Sequence, residues 1–264
     1  MLLAIDVGNT NVVMGVFRGE KLEGTWRIAT DVHKMADEYG VLLLNLLSHE
    51  MPGQVTIDDA ILCSVVPPLV TTFEDLCQRY FGISPMVVDA GIKTGIRISM
   101  DNPREVGADR IVNAVAAHHL YGCPIIVIDF GTATTLDAVS QGGEYLGGAI
   151  APGIGIAADA LFQRASKLPR IELVLPKKAI GRNTVTAMQS GLLFGYIGLI
   201  ESLVNRMRQE MGVKAKVVAT GGLSRLFARA TSVIDEVNLD LTLIGLHLIY
   251  DMNRASHRTA AEQS

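Results

Sequence analysis

Short apolar runs separated by polar turns, followed by segments of helical periodicity, come in nearly the same order in both halves of this chain. Residues 2–7, 12–17 and 22–29 have the length and composition of strands, and turns at Gly8-Asn9 and Arg18-Gly19-Glu20 make them an antiparallel meander. Over 37–48, Tyr39, Val41, Leu42, Leu43, Leu46 and Leu47 follow in helical order, with Met51-Pro52-Gly53 as the stop. Residues 60–66 predict a strand ended by Pro67-Pro68, then a helix over 70–80 and a strand over 86–88. Asn102-Pro103 is a turn or helix-start signal, and 111–117 reads as the helix after it. The second half predicts strands at 125–130, 134–140 and 144–151, a long helix over 185–211 flanked by Asn183 and Thr184, a strand over 216–220 broken at Gly221-Gly222, and a closing helix over 241–254. Beyond about Ala255 the tail is polar and is expected to fray. Three strands followed by alternating helix and strand is an α/β pattern.

The repetition extends to particular residues. Leu2-Leu3-Ala4-Ile5 runs into Asp6-Val7-Gly8-Asn9-Thr10, and Ile125-Ile126-Val127-Ile128 runs into Asp129-Phe130-Gly131-Thr132. An offset of 123 maps Asp6 to Asp129, Gly8 to Gly131, Val16 to Val139, Gly19 to Gly142 and Gly24 to Gly147, which reads as an internal duplication. One Asp-x-Gly after a strand is an ordinary hairpin turn. Two in register predict a pair of phosphate-gripping hairpins facing each other across a cleft between similar halves. Glycine lets backbone N–H groups approach phosphate oxygens, while Asn9, Thr10, Asn11 and Thr132 add short polar side chains. Asp6, at a strand end, can orient Mg²⁺ through its water shell. A magnesium nucleotide is the ligand these features predict.

Composition narrows the classes. At 264 residues the chain accommodates two domains, which the repeat places at 1–117 and 118–254, with 255–264 as a tail. A hydrophobic share of 49% leaves apolar surface for a partner subunit, and a formal charge of −4 argues against a nucleic-acid partner. Cys63, Cys77 and Cys123 are odd in number and lack metal-ligand spacing, so they are expected to be free thiols in a reducing compartment. The six histidines form no motif with them, and Trp26 is expected to pack rather than to react. No basic n-region precedes the first apolar run, and no stretch reads as the roughly 20 apolar residues that span a bilayer, so no membrane partner and a cytoplasmic location are expected.

The paired Asp-x-Gly hairpins, the late Gly221-Gly222, and Asn102-Pro103-Arg104-Glu105-Val106-Gly107-Ala108-Asp109-Arg110 together resemble type III pantothenate kinase, of the acetate kinase, sugar kinase, Hsp70 and actin superfamily. The resemblance runs from Leu2 to about Tyr250. It implies a duplicated ribonuclease-H-like α/β fold (actin-like ATPase) with two similar halves around a nucleotide cleft, and ATP-dependent phosphorylation of pantothenate to 4′-phosphopantothenate in coenzyme A synthesis. It implies ATP contacts along Asp6, Val7, Gly8, Asn9, Thr10, Asn11, Val12 and Val13 and at Thr132, with Asp6 serving Mg²⁺. Asp109 is implied as the proton acceptor, and Met100, Gly107, Ala108, Asp109, Arg110 and Thr184 as pantothenate contacts. Asp129 is implied as ligand of a monovalent cation, potassium or ammonium, Gly221-Gly222 as the adenosine-side turn, and a homodimer as the assembly. Relatives often carry tyrosine where this chain has Met100, which fills the apolar volume but donates no phenolic hydrogen bond.

The residues support these roles physically. An aspartate in the first turn of a helix is held as the anion by the helix dipole, by some tenths to about 1 kcal/mol when exposed. Phosphoryl transfer asks for positioning more than for a strong base, so an ordinary carboxylate suffices. Arg110 supplies a planar cation for a carboxylate or developing phosphate charge. Asp109 beside Arg110 also suits a surface ion pair, and Thr184 also suits a helix cap. Other readings are a different small-alcohol kinase of the superfamily, a non-catalytic accessory regulator of transcription, and a ribonuclease-H-like nuclease. The acidic charge balance opposes the regulator, and the separation of Asp6 and Asp129 in different halves opposes a two-metal nuclease. The apolar run Leu192, Leu193, Phe194, Tyr196, Ile197, Leu199, Ile200 suits either a buried core helix or a subunit interface.

Overall fold

The structure, a computed structural model, describes residues 1–51 and 55–261, so Pro52 and Gly53 of the predicted helix stop lie outside the described residues. The chain forms two compact units. Unit 1 holds Met1–Ile96, Asn102–Ala116 and the chain from Leu241 on, and unit 2 holds Arg97–Asp101 and Ala117–Asp240. A single cut near 117 therefore misses two exchanges: the closing helix joins the first unit, and a short segment before Asn102 joins the second.

Unit 1 is a five-stranded sheet in the order β3-β2-β1-β4-β5. Strands β1 (Leu2–Val7), β2 (Asn11–Arg18) and β3 (Lys21–Ala29) form the predicted meander; β4 (Asp59–Ser64) and β5 (Met86–Val87) add in parallel. One face, with Leu3, Ile5, Val7, Val12, Met14 and Val16, packs on Tyr39, Leu43 and Leu47 of α1 (Ala36–Glu50) and on Leu69, Phe73 and Leu76 of α2 (Pro67–Phe81). Each such buried side chain contributes about 1.5–3 kcal/mol. The predicted strand break at Pro67-Pro68 is instead the start of α2, because proline in a helix's first turn removes only an N–H that has no partner there. Gly82, at φ 69, closes that helix in the left-handed conformation. The sheet's other face meets α7 (Leu241–Ala261), which continues beyond the predicted limit near 254; Leu243 covers Gly15, and the His247 ring lies 4.6 Å from Phe17.

Unit 2 repeats the plan in the order β11-β10-β7-β8-β9-β6. The meander is β7 (Ile125–Phe130), β8 (Ala133–Val139) and β9 (Glu144–Pro152), with β10 (Lys216–Gly221) and β11 (Glu236–Val237) in parallel and β6 (Arg97–Ile98) added beyond β9. Ile126, Ile128, Phe130 and Leu136 pack on Leu192, Leu193, Tyr196, Ile200 and Val204 of α5 (Thr184–Met211). Phe227, on the short α6 (Ser224–Ala228), stacks on Phe130 at 4.6 Å. Helix α4 (Ile154–Arg164) and α6 were not predicted; α3 (Ala108–Tyr121) begins three residues earlier than its apolar run.

Helix α5 corrects an expectation: among the described residues it is the one helix long and apolar enough, by length and composition, to cross a membrane. Leu192, Leu193, Tyr196, Ile200 and Val204 are spent on the unit 2 core, while Gly191, Gly195 and Gly198 are exposed.

The strand pairing also refines the repeat. Both meanders bulge at the same place, skipping Glu23 between Val16↔Gly24 and Phe17↔Leu22, and Leu146 between Ala138↔Gly147 and Val139↔Tyr145. Val16 is thus matched by Ala138 and not by Val139. The first hairpin tip is one residue longer: the Gly8 N–H donates to Asn11 O, whereas the Gly131 N–H donates to Ala133 O, each at 3.0 Å. The next turn is one residue longer in the second copy, which restores the offset, and the left-handed glycine there is Gly143, φ 76, where Gly19, φ 60, serves the first copy.

Candidate active site

In unit 1, Asp6 stands at the end of β1 directly opposite Cys63 of β4. The tip after it exposes Asn9 and Thr10. Thr30 braces this tip: its N–H donates to Thr10 O at 3.0 Å, and its hydroxyl to Gly8 O at 2.6 Å. A Cβ on Gly8 would come within 3.1 Å of Asn11 O, a tight contact at the turn of the tip.

Asp109 sits in the first turn of α3, as the sequence predicts. Ahead of it Pro103–Glu105 is a 3-10 turn, tied by Asn102, whose Nδ2 donates to Glu105 Oε1 at 2.6 Å. The Asp109 carboxylate folds back so that Oδ1 accepts the Arg110 N–H at 2.9 Å. A Cβ on Gly107 would fall 2.6 Å from that oxygen, so Gly107 makes the room the carboxylate occupies. Asp6 and Asp109 share a neighbourhood. Burial pushes the Cys63 thiol well above its usual range, and the charges of Asp6 and Asp109 push it further in the same direction. Two carboxylates that both act on one buried thiol lie at the same end of the unit 1 sheet.

In unit 2, Asp129 ends β7 as Asp6 ends β1. Gly221, at φ 87, lies against it; a Cβ there would meet Asp129 Oδ1 and Phe130 O at 2.6 Å each. Thr132 is exposed at the second tip. That tip is clamped by Gly153, whose N–H donates to Thr132 O at 2.9 Å, and a Cβ on Gly153 would strike the same oxygen at 2.3 Å. Gly153 occupies the place of Thr30, one offset of 123 away. Thr184 is the exposed first residue of α5, and the cap is Asn183, whose Oδ1 accepts the Thr186 N–H at 2.9 Å. Thr184 is left for another partner. Met100 follows β6, whose next residue is held by the Ser99 N–H donating to Tyr145 O at 2.8 Å; its sulfur lies 3.7 Å from where a Gly147 Cβ would stand.

Unit 1 therefore carries Asp6 to Val13 and Gly107 to Arg110, and unit 2 carries Met100, Asp129, Thr132 and Thr184. Thr30 and Gly153 went unnoticed in the sequence, and Cys63 was read only as a free thiol; the repeat offset linking Thr30 to Gly153 was the signal that could have found the two clamps. Among the described residues no group of three or more His, Cys, Asp or Glu side chains is placed to hold a metal. A cation beside Asp6 or Asp129 would draw its remaining ligands from backbone carbonyls, ligand phosphates and water, which suits Mg²⁺ and larger hard cations.

Two copies of a strand-hairpin-strand unit, each ending a central strand in Asp-x-Gly with an exposed polar tip, define a duplicated ribonuclease-H-like α/β fold of the actin-like ATPase type. Solved structures agree on the fold. The chain is similar to a Campylobacter jejuni protein described as a Baf family transcriptional activator, with TM-score 0.64, 18% identity, and 96% of this chain and 99% of that one covered. It is also similar to the inorganic polyphosphate/ATP-glucomannokinase of an Arthrobacter strain, with TM-score 0.50, 12% identity, and 96% and 98% covered. The family profile described as type III pantothenate kinase matches residues 2–206. The type III pantothenate kinase of Dehalococcoides mccartyi strain 195 is 55% identical over 254 residues, 96% of this chain and 98% of that protein. The chain belongs to the type III pantothenate kinase family.

Proposed function

We propose that this chain phosphorylates pantothenate at the expense of ATP, giving 4′-phosphopantothenate, the first step of coenzyme A biosynthesis, with Asp109 as the general base. The reading of Asp109 as the base is supported by its position in the first turn of α3 and by the direction in which its charge, with that of Asp6 opposite Cys63 on the sheet, pushes the buried Cys63 thiol. The first tip, from Asp6 to Val13, receives the ATP phosphates through backbone N–H groups, and Thr132 supplies the matching contact from the second tip. Asp6 orients the Mg²⁺ that travels with ATP; the ion neutralises phosphate charge as it builds on the transferring group. Asp129 holds a monovalent cation, potassium or ammonium. Gly107, Ala108 and Arg110, with Met100 and Thr184, hold pantothenate, Arg110 meeting an anionic oxygen. Asp109 accepts the hydroxyl proton as the oxygen bonds to the γ-phosphorus and the bond to the β–γ bridging oxygen breaks.

The assembly is a homodimer. Its support is the outer side of α5, where a Cβ on Gly191, Gly195 or Gly198 would meet nothing within 4 Å, together with exposed Leu161 and Phe162 on α4. Exposed glycines on a helix admit the close approach of a second helix, and exposed apolar side chains favour burial against a partner. The free thiols at Cys63, Cys77 and Cys123 suit a reducing compartment and support a cytoplasmic placement.

Purified protein is expected to convert ATP to ADP in the presence of pantothenate, Mg²⁺ and potassium or ammonium, and to leave other small alcohols of a substrate panel unphosphorylated. Turnover of a sugar in place of pantothenate would move the chain to another kinase of the superfamily. Light scattering is expected to give twice the chain mass, and a stable monomer would remove the dimer.

A further inference from the structure

Unit 2 buries a carboxylate that the fold itself does not require. Asp137, on β8, is 1% exposed, between the buried apolar residues Leu136 and Ala138. Burying an ionised carboxylate is costly unless it is hydrogen-bonded. Asp137 is bonded on both oxygens: Oδ1 accepts the Tyr145 hydroxyl at 2.6 Å, and Oδ2 accepts the Thr135 hydroxyl at 3.3 Å. Tyr145 itself is fully buried.

The duplication supplies a control for this position. By strand register, Thr135, Asp137 and Tyr145 of unit 2 correspond to Val13, Gly15 and Leu22 of unit 1, because Asp129↔Thr135 matches Asp6↔Val13 and the two bulges coincide. In unit 1 the Leu22 side chain packs over Gly15, a Cβ there standing 3.0 Å from Leu22 Cδ1. The same sheet is thus completed with two apolar residues where unit 2 uses a carboxylate and a phenol. Structural need alone does not account for the pair.

The pair is placed beside Met100. Across the sheet Asp137 faces Gly148, where a Cβ would lie 3.0 Å from Asp137 Oδ1, and the preceding Gly147, at φ 113, carries Met100 against it. Strand β6, which delivers Met100, is paired with β9 at Glu144 and Tyr145. The bulge, the two glycines and the Met100 segment therefore converge on the Tyr145–Asp137 hydrogen bond.

We propose that Asp137 and Tyr145 are positioning residues of the pantothenate half-site: their buried hydrogen bond fixes the β9 bulge and, through Gly147, sets the place of the Met100 wall. The proposal rests on the reading of this chain as a pantothenate kinase with Met100 at the substrate. A methionine wall lacks the directional hydrogen bond of a phenol, so its position has to come from what lies behind it.

The test is steady-state kinetics of full-length Tyr145→Phe and Asp137→Asn, with pantothenate and ATP varied separately and thermal melting of the same preparations. Loss of one buried hydrogen bond is expected to raise KM for pantothenate about five- to tenfold, with KM for ATP and kcat within about twofold of wild type. In a Met100→Ala background the same substitutions should add little, since the wall they position is gone. Should Asp137→Asn fail to fold, Tyr145→Phe, which keeps the ring, decides. A lowered melting temperature with an unmoved KM for pantothenate, or equal shifts in both KM values, overturns the proposal while leaving the kinase reading intact. Wild-type protein that does not phosphorylate pantothenate overturns both.

Discussion

The two meanders share a fold, a bulge position and a terminal aspartate, yet they distribute bulk and charge in opposite ways. In unit 1 the small residue is on the middle strand and the larger one on the outer strand, Gly15 facing Thr25; in unit 2 the order is reversed, Asp137 facing Gly148. Likewise Met14 faces the large Trp26, whereas Leu136 faces Ala149. The hairpin tips differ in the same spirit: the first is longer and braced by the Thr30 hydroxyl, while the second is shorter and pressed on Gly153, where no side chain fits. A duplicated scaffold keeps its backbone register because the hydrogen-bond ladder demands it. Side-chain volumes are free to trade across a strand pair so long as their sum fills the space. That freedom lets unit 1 hold Gly15 and Leu22 where unit 2 holds Asp137 and Tyr145.

The sharpest division between the units concerns Asp109. Replacing it by asparagine should lower kcat by a factor of about 10²–10⁴ while ATP and pantothenate still bind, because the amide keeps the shape and loses the proton acceptor. Calorimetric binding beside a turnover assay checks this, and near-normal turnover would assign the base elsewhere.

Next in size is the exchanged glycine. A Cβ on Gly148 would stand 1.9 Å from Leu136 O, a backbone atom, whereas a Cβ on Gly15 would meet the Leu243 and Leu22 side-chain ends at 2.8 and 3.0 Å. Gly148→Ala should therefore cost about 3 kcal/mol, at the upper end for overpacking, and Gly15→Ala less, since leucine rotamers can yield. Denaturant midpoints of the two variants rank them, and the reverse order would refute the account of traded volume.

Alkali should then weaken unit 1 more than unit 2. Burial pushes the Cys77 thiol to about 12 and Cys63 well above 9.0, while Cys123 of unit 2, half-buried, is raised without such depth. Below pH 9 both folded and unfolded chains hold neutral thiols, so these groups make stability independent of pH there. Above pH 9 the unfolded chain ionises first and is favoured, by about 1.4 kcal/mol per pH unit for each deeply buried thiol. Melting curves between pH 8 and 10.5 should fall, and Cys77→Ala should flatten the fall. An unchanged slope would contradict this origin.

The smallest effect is expected at Trp26, 5% exposed, whose indole N–H finds no acceptor among the described residues. Trp26→Phe removes apolar contact and an unsatisfied donor together. The two changes oppose each other and should leave stability within about 1 kcal/mol of wild type, as read from the urea midpoint.

Much of this molecule was legible before folding was considered. The meanders, the long α5, the paired Asp-x-Gly turns and the Asn102–Arg110 segment are local signals, set by side-chain periodicity and by turn residues, which depend on near neighbours in the chain. The prolines at 67 and 68 misled, because proline both ends strands and starts helices, and only the packing of Leu69 and Phe73 against the sheet chooses between them. The apolarity of α5 was legible, but its arrangement was not: composition counts its exposed glycines and its buried leucines alike, and burial depends on partners distant in sequence.

By itself, then, the sequence determined the order of elements, the duplication and the residues able to grip phosphate, since each follows from short-range pattern. Tertiary structure alone decided that the closing helix completes unit 1, that Val16 matches Ala138 rather than Val139, that Asp6 and Asp109 act on the same buried thiol, and that Asp137 is sealed under Tyr145 beside Met100. The physical reason is range: a hydrogen-bond register slips by one residue at little local cost, and a buried charge is tolerable only when groups far apart in the chain converge to satisfy it.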